Sequence, residues 1–237
     1  MTPHESPSLA LDEPQGRTAR VALGTRAVLL RGFARERASE LVAAIDAIAA
    51  VSPFRHMVTP GGWAMSVALT NCGQVGWVTD RSGYRYAPTD PTTGQPWPAM
   101  PREFADLAGE AANAAGFVGF SPDGCLVNRY APGARLSLHQ DRNERDFDQP
   151  IVSVSLGLPA VFLWGGKKRT ERVRRVPLVH GDVVVWGGPD RLTFHGVHAL
   201  AEGEHPSTGA YRFNFTFRRA RSPPVIGLAS CASARWR

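Results

Sequence analysis

The chain has 237 residues, of which 43% are hydrophobic and 20% are charged. This composition is typical of a folded globular protein and excludes disorder along the whole length, and one domain is the expectation for this size. The formal net charge of +6 favours a polyanionic partner or an anionic substrate, because a surface of one sign attracts the other.

The cysteines and the apolar runs indicate the cellular compartment. Cys72, Cys125 and Cys231 are scattered with no Cys-x-x-Cys pair, which argues against a disulfide framework or a thiolate zinc site and fits a reducing cytoplasm. The longest apolar run, LVAAIDAIAAV, contains Asp46 and is too short to span a membrane. The first residues are polar where a secretory signal would be apolar. We therefore expect a cytoplasmic protein that does not bind membranes. A monomer is the expected state of association.

The first half of the chain divides into an arm and a mixed segment. Residues 1–19 are polar and contain proline without periodicity, so we expect a flexible arm. Residues 20–120 are predicted to hold two helices, over 37–50 and 101–116, because apolar residues recur there at helical spacing. Between the helices, residues 54–100 are rich in Gly, Pro and aromatics, which is typical of short strands and loops.

From residue 121 to 219 the pattern changes to about eight short β-type runs separated by turn residues. The runs are CLVNRYAPG, RLSLHQD, IVSVSLGLP, AVFLWGG, ERVRRVPLV, GDVVVWGG, RLTFHGV and YRFNFTFR. Their regular spacing predicts a double-sheet jelly roll or a barrel, so the fold class is mainly β with two helices before the core. Residues 220–237 are rich in Arg, Ser and Ala, and we expect a basic tail.

The run RLSLHQD places two metal-ligand residues on one strand face. Alternate residues of a strand share a face, so His139 and Asp141 point away from the two leucines of the run. A third ligand must come from another run, and His195 in RLTFHGV is the candidate, because alternation turns His198 to the opposite face. Two imidazoles and one carboxylate form the facial set of non-haem Fe(II) oxygenases, which leaves positions for a bidentate cosubstrate and O₂. An H-x-D pair is also common on ordinary surfaces, so a structural role stays open at this point.

The run YRFNFTFR has an aromatic face, interpreted as core packing, and a polar face with an arginine near each end. Arg212 and Arg218 stand about 20 Å apart along the strand, and guanidinium groups inside a barrel require compensating anions. The planar fork of arginine binds a carboxylate through two parallel hydrogen bonds. A small dicarboxylate such as 2-oxoglutarate meets this requirement. The alternative is that one arginine pairs with an internal Asp and only the other binds ligand.

Several stretches together resemble the AlkB family of Fe(II)/2-oxoglutarate-dependent dioxygenases, and its bacterial members most closely. They lie in register from Gly61 to Arg218: MSVALTNCG, PWPAMP, NRYAPGARLSLHQD, PIVSVSLGLPA, HGDVVVWGG and RFNFTFR. The resemblance implies a double-stranded β-helix with an N-terminal nucleotide-recognition lid. It implies that the iron ligands, which are also the catalytic residues, are His139, Asp141 and His195. It implies 2-oxoglutarate contacts from Asn128, Tyr130, Arg212, Asn214 and Arg218, with Arg212 on the distal carboxylate.

The same resemblance implies the substrate-binding residues. In this family a flipped base is held under the lid, and the matching positions are Trp77, which would stack on the iron ligand His139, together with Tyr84 and Tyr86. Arg169, in the basic segment KKRTERVRR, matches a substrate-contacting arginine. Physical chemistry agrees, because a base inside a duplex cannot reach a metal inside a barrel and must be extruded and held by stacking.

One position departs from the family pattern. Bacterial relatives commonly carry Asp two residues after the iron aspartate, near the exocyclic amine of the base, and this chain has Asn143 there. An amide carbonyl accepts a hydrogen bond but carries no charge to favour a cationic base. The base preference is therefore open at this position.

The resemblance implies oxidative dealkylation of bases such as 1-methyladenine and 3-methylcytosine in single- or double-stranded DNA. Fe(II), 2-oxoglutarate and O₂ would be used, and formaldehyde, succinate and CO₂ released. RNA, tRNA or a small molecule is the alternative substrate. A nucleic-acid-binding module with a vestigial metal site is the alternative function, and the intact triad and both arginines argue against it.

Overall fold

The computed structural model describes residues 19–221, so most of the predicted N-terminal arm and of the predicted basic tail lies outside the described residues. Two helices, α1 (Ala38–Val51) and α2 (Arg102–Ala114), precede most of the strands. The strands are β1 (Arg20–Ala22), β2 (Ala27–Leu30), β3 (Ala68–Gly73), β4 (Gly76–Asp80), β5 (Gly83–Ala87), β6 (Gly124–Tyr130), β7 (Leu136–His139), β8 (Ile151–Gly157), β9 (Ala160–Trp164), β10 (Arg174–Leu178), β11 (Val183–Trp186), β12 (His195–Val197) and β13 (Arg212–Arg218). No helix in this part of the chain is long and apolar enough to cross a membrane.

The strands form two antiparallel sheets and one separate hairpin. The large sheet has the order β1-β2-β11-β8-β13-β6-β3, the small sheet has the order β10-β9-β12-β7, and β4 pairs only with β5. Two antiparallel sheets facing each other are the architecture of a jelly roll, and the predicted mainly β fold class is confirmed. The large sheet takes in β1, β2 and β3, so it draws on chain from both sides of the predicted boundary at residues 120/121.

The two helices cover the outer face of the large sheet. They bury apolar side chains at helical spacing, including Leu41, Ile45 and Phe104. The Phe104 ring stacks on Phe215 with the centroids 4.7 Å apart and meets Phe217 edge-on. The phenylalanine face of β13 is therefore core, as predicted, whereas Tyr211 of the same run precedes the strand and is 38% exposed. The alternate residues of β13 face the space between the sheets.

A second apolar cluster fills the space between the sheets, and a third lies beneath the hairpin. Trp164 and Trp186 belong to the second cluster and are 5% and 1% exposed. The third cluster contains Val78 of the hairpin together with Leu69 and Trp97, and the Trp97 indole Nε1 donates to Ala87 O at 2.9 Å. This cluster also contains Leu126 of β6, so it anchors the β4–β5 hairpin to strands β3 and β6 of the large sheet.

Candidate active site

Two histidines and one aspartate meet where β7 and β12 pair. His139 and His195 lie opposite each other in the strand register, with ring centroids 4.5 Å apart. The Asp141 carboxylate lies 3.7 Å from His139 Nε2 and 3.8 Å from His195 Nε2. One ligand atom from each of the three lies within 4.8 Å of the others. This spacing and donor set fit one Fe(II) ion, which accepts imidazole nitrogen and carboxylate oxygen.

Backbone carbonyls orient both imidazoles. His139 Nδ1 lies 2.8 Å from Ser137 O, and His195 Nδ1 lies 3.0 Å from Thr193 O. A carbonyl oxygen only accepts, so each Nδ1 carries the proton and each Nε2 is left to bind metal. Burial, helped by the nearby His139, lowers the pKa of His195 to about 4. At neutral pH the His195 ring is therefore neutral, which is the form that binds metal.

The predicted placement of Asp141 on the strand differs from the structure, because β7 ends at His139 and Asp141 follows in the loop. The carboxylate reaches the two imidazoles because Arg218 holds it, with Nη2 and Nε donating to Asp141 Oδ2 at 2.7 Å and 3.1 Å. Burial alone would raise the pKa of Asp141, but the Arg218 charge and the two histidines outweigh it and hold the pKa well below the usual range. Asp141 is therefore a carboxylate at neutral pH.

The opposite end of β13 holds a buried guanidinium with incomplete bonding. Arg212 is 1% exposed, and its Nη2 donates to Ser155 Oγ at 2.9 Å. Its Nε and Nη1 have no partner, and neither has the hydroxyl of Tyr130 or Oδ1 of Asn128. Leaving such groups unsatisfied in a protein interior is costly. A carboxylate would accept from the Arg212 nitrogens and the Tyr130 hydroxyl, so these two residues fit the distal carboxylate of 2-oxoglutarate.

Arg212 and the neighbouring Tyr130 form a positively charged site. The Arg212 guanidinium lies 4.9 Å from the Tyr130 ring centroid, a cation–π distance. Burial raises the pKa of Tyr130 to about 12, so its hydroxyl remains a donor. Burial also lowers the pKa of Arg212, but a guanidinium stays protonated in proteins.

The two other predicted cosubstrate residues are engaged within the protein. The Asn214 amide donates to Ser153 Oγ at 2.8 Å and to Val154 O at 2.9 Å. Arg218 pairs with two carboxylates, those of Asp141 and Glu144. The structure thus favours the alternative in which one arginine is paired internally and Arg212 is left for the ligand.

The β4–β5 hairpin carries the three predicted aromatic residues over this region. Trp77 and Tyr84 stack with ring centroids 5.6 Å apart, because they are diagonal neighbours on one hairpin face. Among the described ring pairs His139 lies against His195, and the stack of Trp77 on His139 stays a prediction. Trp77 Nε1 donates to Asn143 Oδ1 at 3.3 Å, which brings the hairpin to the loop after the iron-site aspartate.

Arg169 lies beside the strand that carries His139. Its Nη2 donates to Leu138 O at 2.5 Å. The adjacent Lys167 donates to Thr193 Oγ1 at 3.0 Å, next to the second histidine. The charged heads of Lys168 and Arg172 stand on the exposed surface nearby. The basic segment therefore flanks the His–Asp–His group.

Two buried charged residues at the site were not predicted from the sequence. Glu144 and Arg191 are 5% and 2% exposed, and Arg191 Nη2 lies 3.0 Å from Glu144 Oε2. The hydroxyl of Tyr86 donates to Glu144 Oε1 at 2.5 Å. Burial raises the pKa of Tyr86 well above its ordinary value, so this hydroxyl is a neutral donor. The charged run DRNERD gave no sign of burial, since such runs are usually solvated.

The comparisons with known proteins agree with this geometry. A family model described as the 2OG-Fe(II) oxygenase superfamily matches residues 26–218. The chain is 58% identical over 198 residues to the alpha-ketoglutarate-dependent dioxygenase AlkB of Escherichia coli (strain K12), covering 84% of this chain and 92% of that protein. It is 45% identical over 183 residues to the AlkB homolog of Caulobacter vibrioides (strain NA1000 / CB15N), covering 77% and 81%.

A solved structure supports the same assignment. OsALKBH1 matches with a TM-score of 0.75 at 27% identity, covering 85% of this chain and 100% of that one. The family model spans well over half of the chain, and the bacterial relatives are matched over most of their length. The chain therefore belongs to the 2OG-Fe(II) oxygenase superfamily and, within it, to the AlkB family of Fe(II)- and 2-oxoglutarate-dependent dioxygenases.

Proposed function

We propose that this dioxygenase repairs DNA directly by oxidative dealkylation of bases such as 1-methyladenine and 3-methylcytosine. One observation carries the proposal: a His–Asp–His group and a buried arginine with free donors both face the space between the two sheets. In the proposed assignment His139, Asp141 and His195 hold Fe(II), and Arg212 binds the distal carboxylate of 2-oxoglutarate. Formaldehyde, succinate and CO₂ are the products.

Fe(II) and 2-oxoglutarate, when bound, would supply the O₂ chemistry that hydroxylates the alkyl carbon and converts the cosubstrate to succinate and CO₂. The protein's own residues orient the reactants. Arg212 fixes one end of the cosubstrate, so that the keto acid end points toward the triad. The hairpin aromatics hold the extruded base, so that its alkyl carbon is the group that reaches the centre. The C–N bond of the hydroxylated alkyl group would then break. The hydroxyl group loses its proton to solvent, formaldehyde leaves, and the base nitrogen keeps the electron pair of the broken bond.

The direct test measures succinate and formaldehyde release from methylated oligonucleotides supplied with Fe(II) and 2-oxoglutarate. Single-stranded DNA, double-stranded DNA and RNA carrying the same lesion are compared, because we propose DNA as the substrate and RNA as the alternative. Formaldehyde release from methylated DNA in proportion to succinate supports the proposal. Equal binding of methylated and plain DNA without turnover would indicate a binding module instead.

Trp77→Ala is expected to raise KM for a methylated single-stranded oligonucleotide by about 5- to 150-fold. The reason is that stacking of a base on an aromatic ring contributes about 1–3 kcal/mol. Steady-state formaldehyde release measures the change, and KM for 2-oxoglutarate should be unaffected because Arg212 is untouched. Trp77→Phe keeps a ring and should recover most of the loss. A wild-type KM in Trp77→Ala would remove Trp77 from the base-binding surface.

Asn143→Asp is expected to shift lesion preference toward cationic bases. A carboxylate beside the base favours cationic 1-methyladenine over neutral 3-methylthymine by about two- to fivefold, the range of a partly exposed ion pair. The ratio of kcat/KM for the two lesions in matched oligonucleotides measures the shift. Asn143→Ala separates the loss of the amide from the gain of charge. An unchanged ratio in Asn143→Asp would exclude Asn143 as a specificity determinant.

We also propose that the exposed basic segment contacts the phosphate backbone and that the protein acts as a cytoplasmic monomer. Lys168, Arg172 and Arg175 are exposed and lie within six residues of Arg169 in the sequence, and Arg169 lies beside β7. Phosphate contacts of this kind make affinity fall as salt rises, through release of counterions. Binding of plain oligonucleotide should therefore weaken steeply with salt.

A further inference from the structure

Four charged side chains, two of each sign, are buried together beside the candidate iron site. They are Asp141, Glu144, Arg191 and Arg218, whose side chains are 11%, 2%, 3% and 8% exposed. The two carboxylates and the two guanidinium groups compensate each other's charge. Each of these charges stays buried only because the others are present, since an unpaired ion in a protein interior is strongly unfavourable.

Glu144 is the centre of this network. Its carboxylate accepts from the Tyr86 hydroxyl at 2.5 Å, lies 3.0 Å from Arg191 Nη2 and lies 3.4 Å from Arg218 Nε. Tyr86 belongs to strand β5 of the hairpin, and Arg218 ends β13. A single carboxylate therefore contacts the hairpin and the residue that holds the iron-site aspartate.

Arg191 fixes the loop that follows His139. Its Nη1 donates to Asp141 O at 2.8 Å and its Nε donates to Gln149 O at 3.2 Å, so it ties both ends of the loop together. Arg191 itself stands four residues before His195. Its planar fork makes these contacts and the ion pair with Glu144 at once, which a lysine could not do.

The contacts of Glu144 connect the position of the hairpin to the arrangement of charges at the candidate iron site. When Tyr86 bonds to Glu144, that carboxylate is held between Arg191 and Arg218, and Arg218 in turn holds Asp141. Movement of the hairpin away from the barrel would remove one partner of a buried carboxylate, and the remaining charges would have to rearrange. The position of the hairpin and the arrangement of the charges around Asp141 are therefore energetically coupled.

We propose that Glu144 and Arg191 are positioning residues that couple the β4–β5 hairpin to Asp141 and Arg218. Through this coupling, cosubstrate oxidation is matched to the presence of a base under the hairpin. The inference rests on the proposed function and adds that this coupling limits oxidation of 2-oxoglutarate when no base lies under the hairpin. Neither residue is assigned a bond to substrate or metal.

The test is a double-mutant cycle on Tyr86→Phe and Glu144→Gln, both of which keep the shape of the side chain. The quantity measured is succinate formed per formaldehyde released with a saturating methylated oligonucleotide. Each single variant is expected to raise this ratio about tenfold, the lower end of the effect of groups that orient metal ligands. The double variant is expected to stay within about threefold of the singles, whereas independent effects would multiply to about a hundredfold.

Asp148→Asn is the matched control, because it removes the same charge from an exposed position of the same loop and should leave the ratio unchanged. Arg191→Lys keeps the charge but loses the fork, so it should raise the ratio as Glu144→Gln does. A folded Glu144→Gln with a wild-type ratio, or a multiplicative double variant, would overturn the proposal.

A second readout is independent of turnover. With Mn(II) in place of Fe(II) and 2-oxoglutarate present, affinity for the methylated oligonucleotide is measured for the same four proteins of the cycle. If the two single variants and the double variant lose the same amount of affinity for the oligonucleotide, the coupling is supported. If the losses of the single variants add up in the double variant, the coupling is contradicted. If wild-type protein released no formaldehyde from any methylated oligonucleotide, the proposed function would fail while this binding cycle still decided the coupling.

Discussion

His139→Ala is expected to lower formaldehyde release by more than about 100-fold while the protein remains folded. Changes in groups that merely orient metal ligands cost 10- to 100-fold, so loss of a proposed ligand should exceed that range. The side chain of His139 is 39% exposed, so its removal leaves no buried cavity. Formaldehyde release and Mn(II) binding are measured side by side, and both should fall.

The matched control for this variant is His198→Ala. His198 is an exposed histidine three residues after His195, so its loss removes an imidazole near the site without touching the His–Asp–His group. It should retain wild-type turnover and Mn(II) affinity. Full activity in His139→Ala with intact thermal unfolding would show that the iron site is elsewhere.

Arg212→Met is expected to change cosubstrate binding and stability in opposite directions. Removing the proposed partner of a buried carboxylate should cost about 2 kcal/mol or more, a rise in KM for 2-oxoglutarate of at least about 30-fold. Replacing an incompletely bonded buried charge with an apolar side chain should leave the free energy of unfolding of the ligand-free protein unchanged or raised by up to about 4 kcal/mol. Thermal unfolding with and without 2-oxoglutarate measures both effects.

Cosubstrate selectivity provides the control for Arg212. Wild-type protein should prefer 2-oxoglutarate strongly over 2-oxobutyrate, which lacks the distal carboxylate, and Arg212→Met should lose most of that preference. Arg212→Lys retains a positive charge without the fork and should fall between the two. An unchanged preference in Arg212→Met would assign the distal carboxylate to another residue, of which Arg218 is the first to test.

The barrel strands were predictable because their signal is local. Strands β6 to β13 coincide with the eight runs in the sequence, and both helices begin and end within two residues of the prediction. Strands β1 and β2 were not predicted, because they have only three and four residues and lack alternation. They become strands by pairing, β2 with β11 and β1 with β2, and such tertiary pairing is invisible in a single sequence.

The site was predictable to the extent that its residues share a strand register or a family motif. The positions of His139 and His195 follow from two β runs. Asp141 lies beyond the end of β7, and its position depends on the hydrogen bonds from Arg218 rather than on strand alternation. The roles of Glu144 and Arg191 could not be predicted, since burial of a charge depends on partners distant in sequence. Arg191 lies 47 residues from Glu144, and no spacing rule connects them.

The isolation of the β4–β5 hairpin has a consequence for evolvability. It shares no backbone pairing with either barrel sheet and packs on the barrel through one small apolar cluster, so hairpin mutations that spare Tyr86 and this cluster should leave the oxidative chemistry intact. Recognition and catalysis can then diversify at different rates within one chain. For directed evolution, randomising the outward-facing hairpin positions while fixing Tyr86 should yield libraries in which altered lesion ranges arise without loss of turnover.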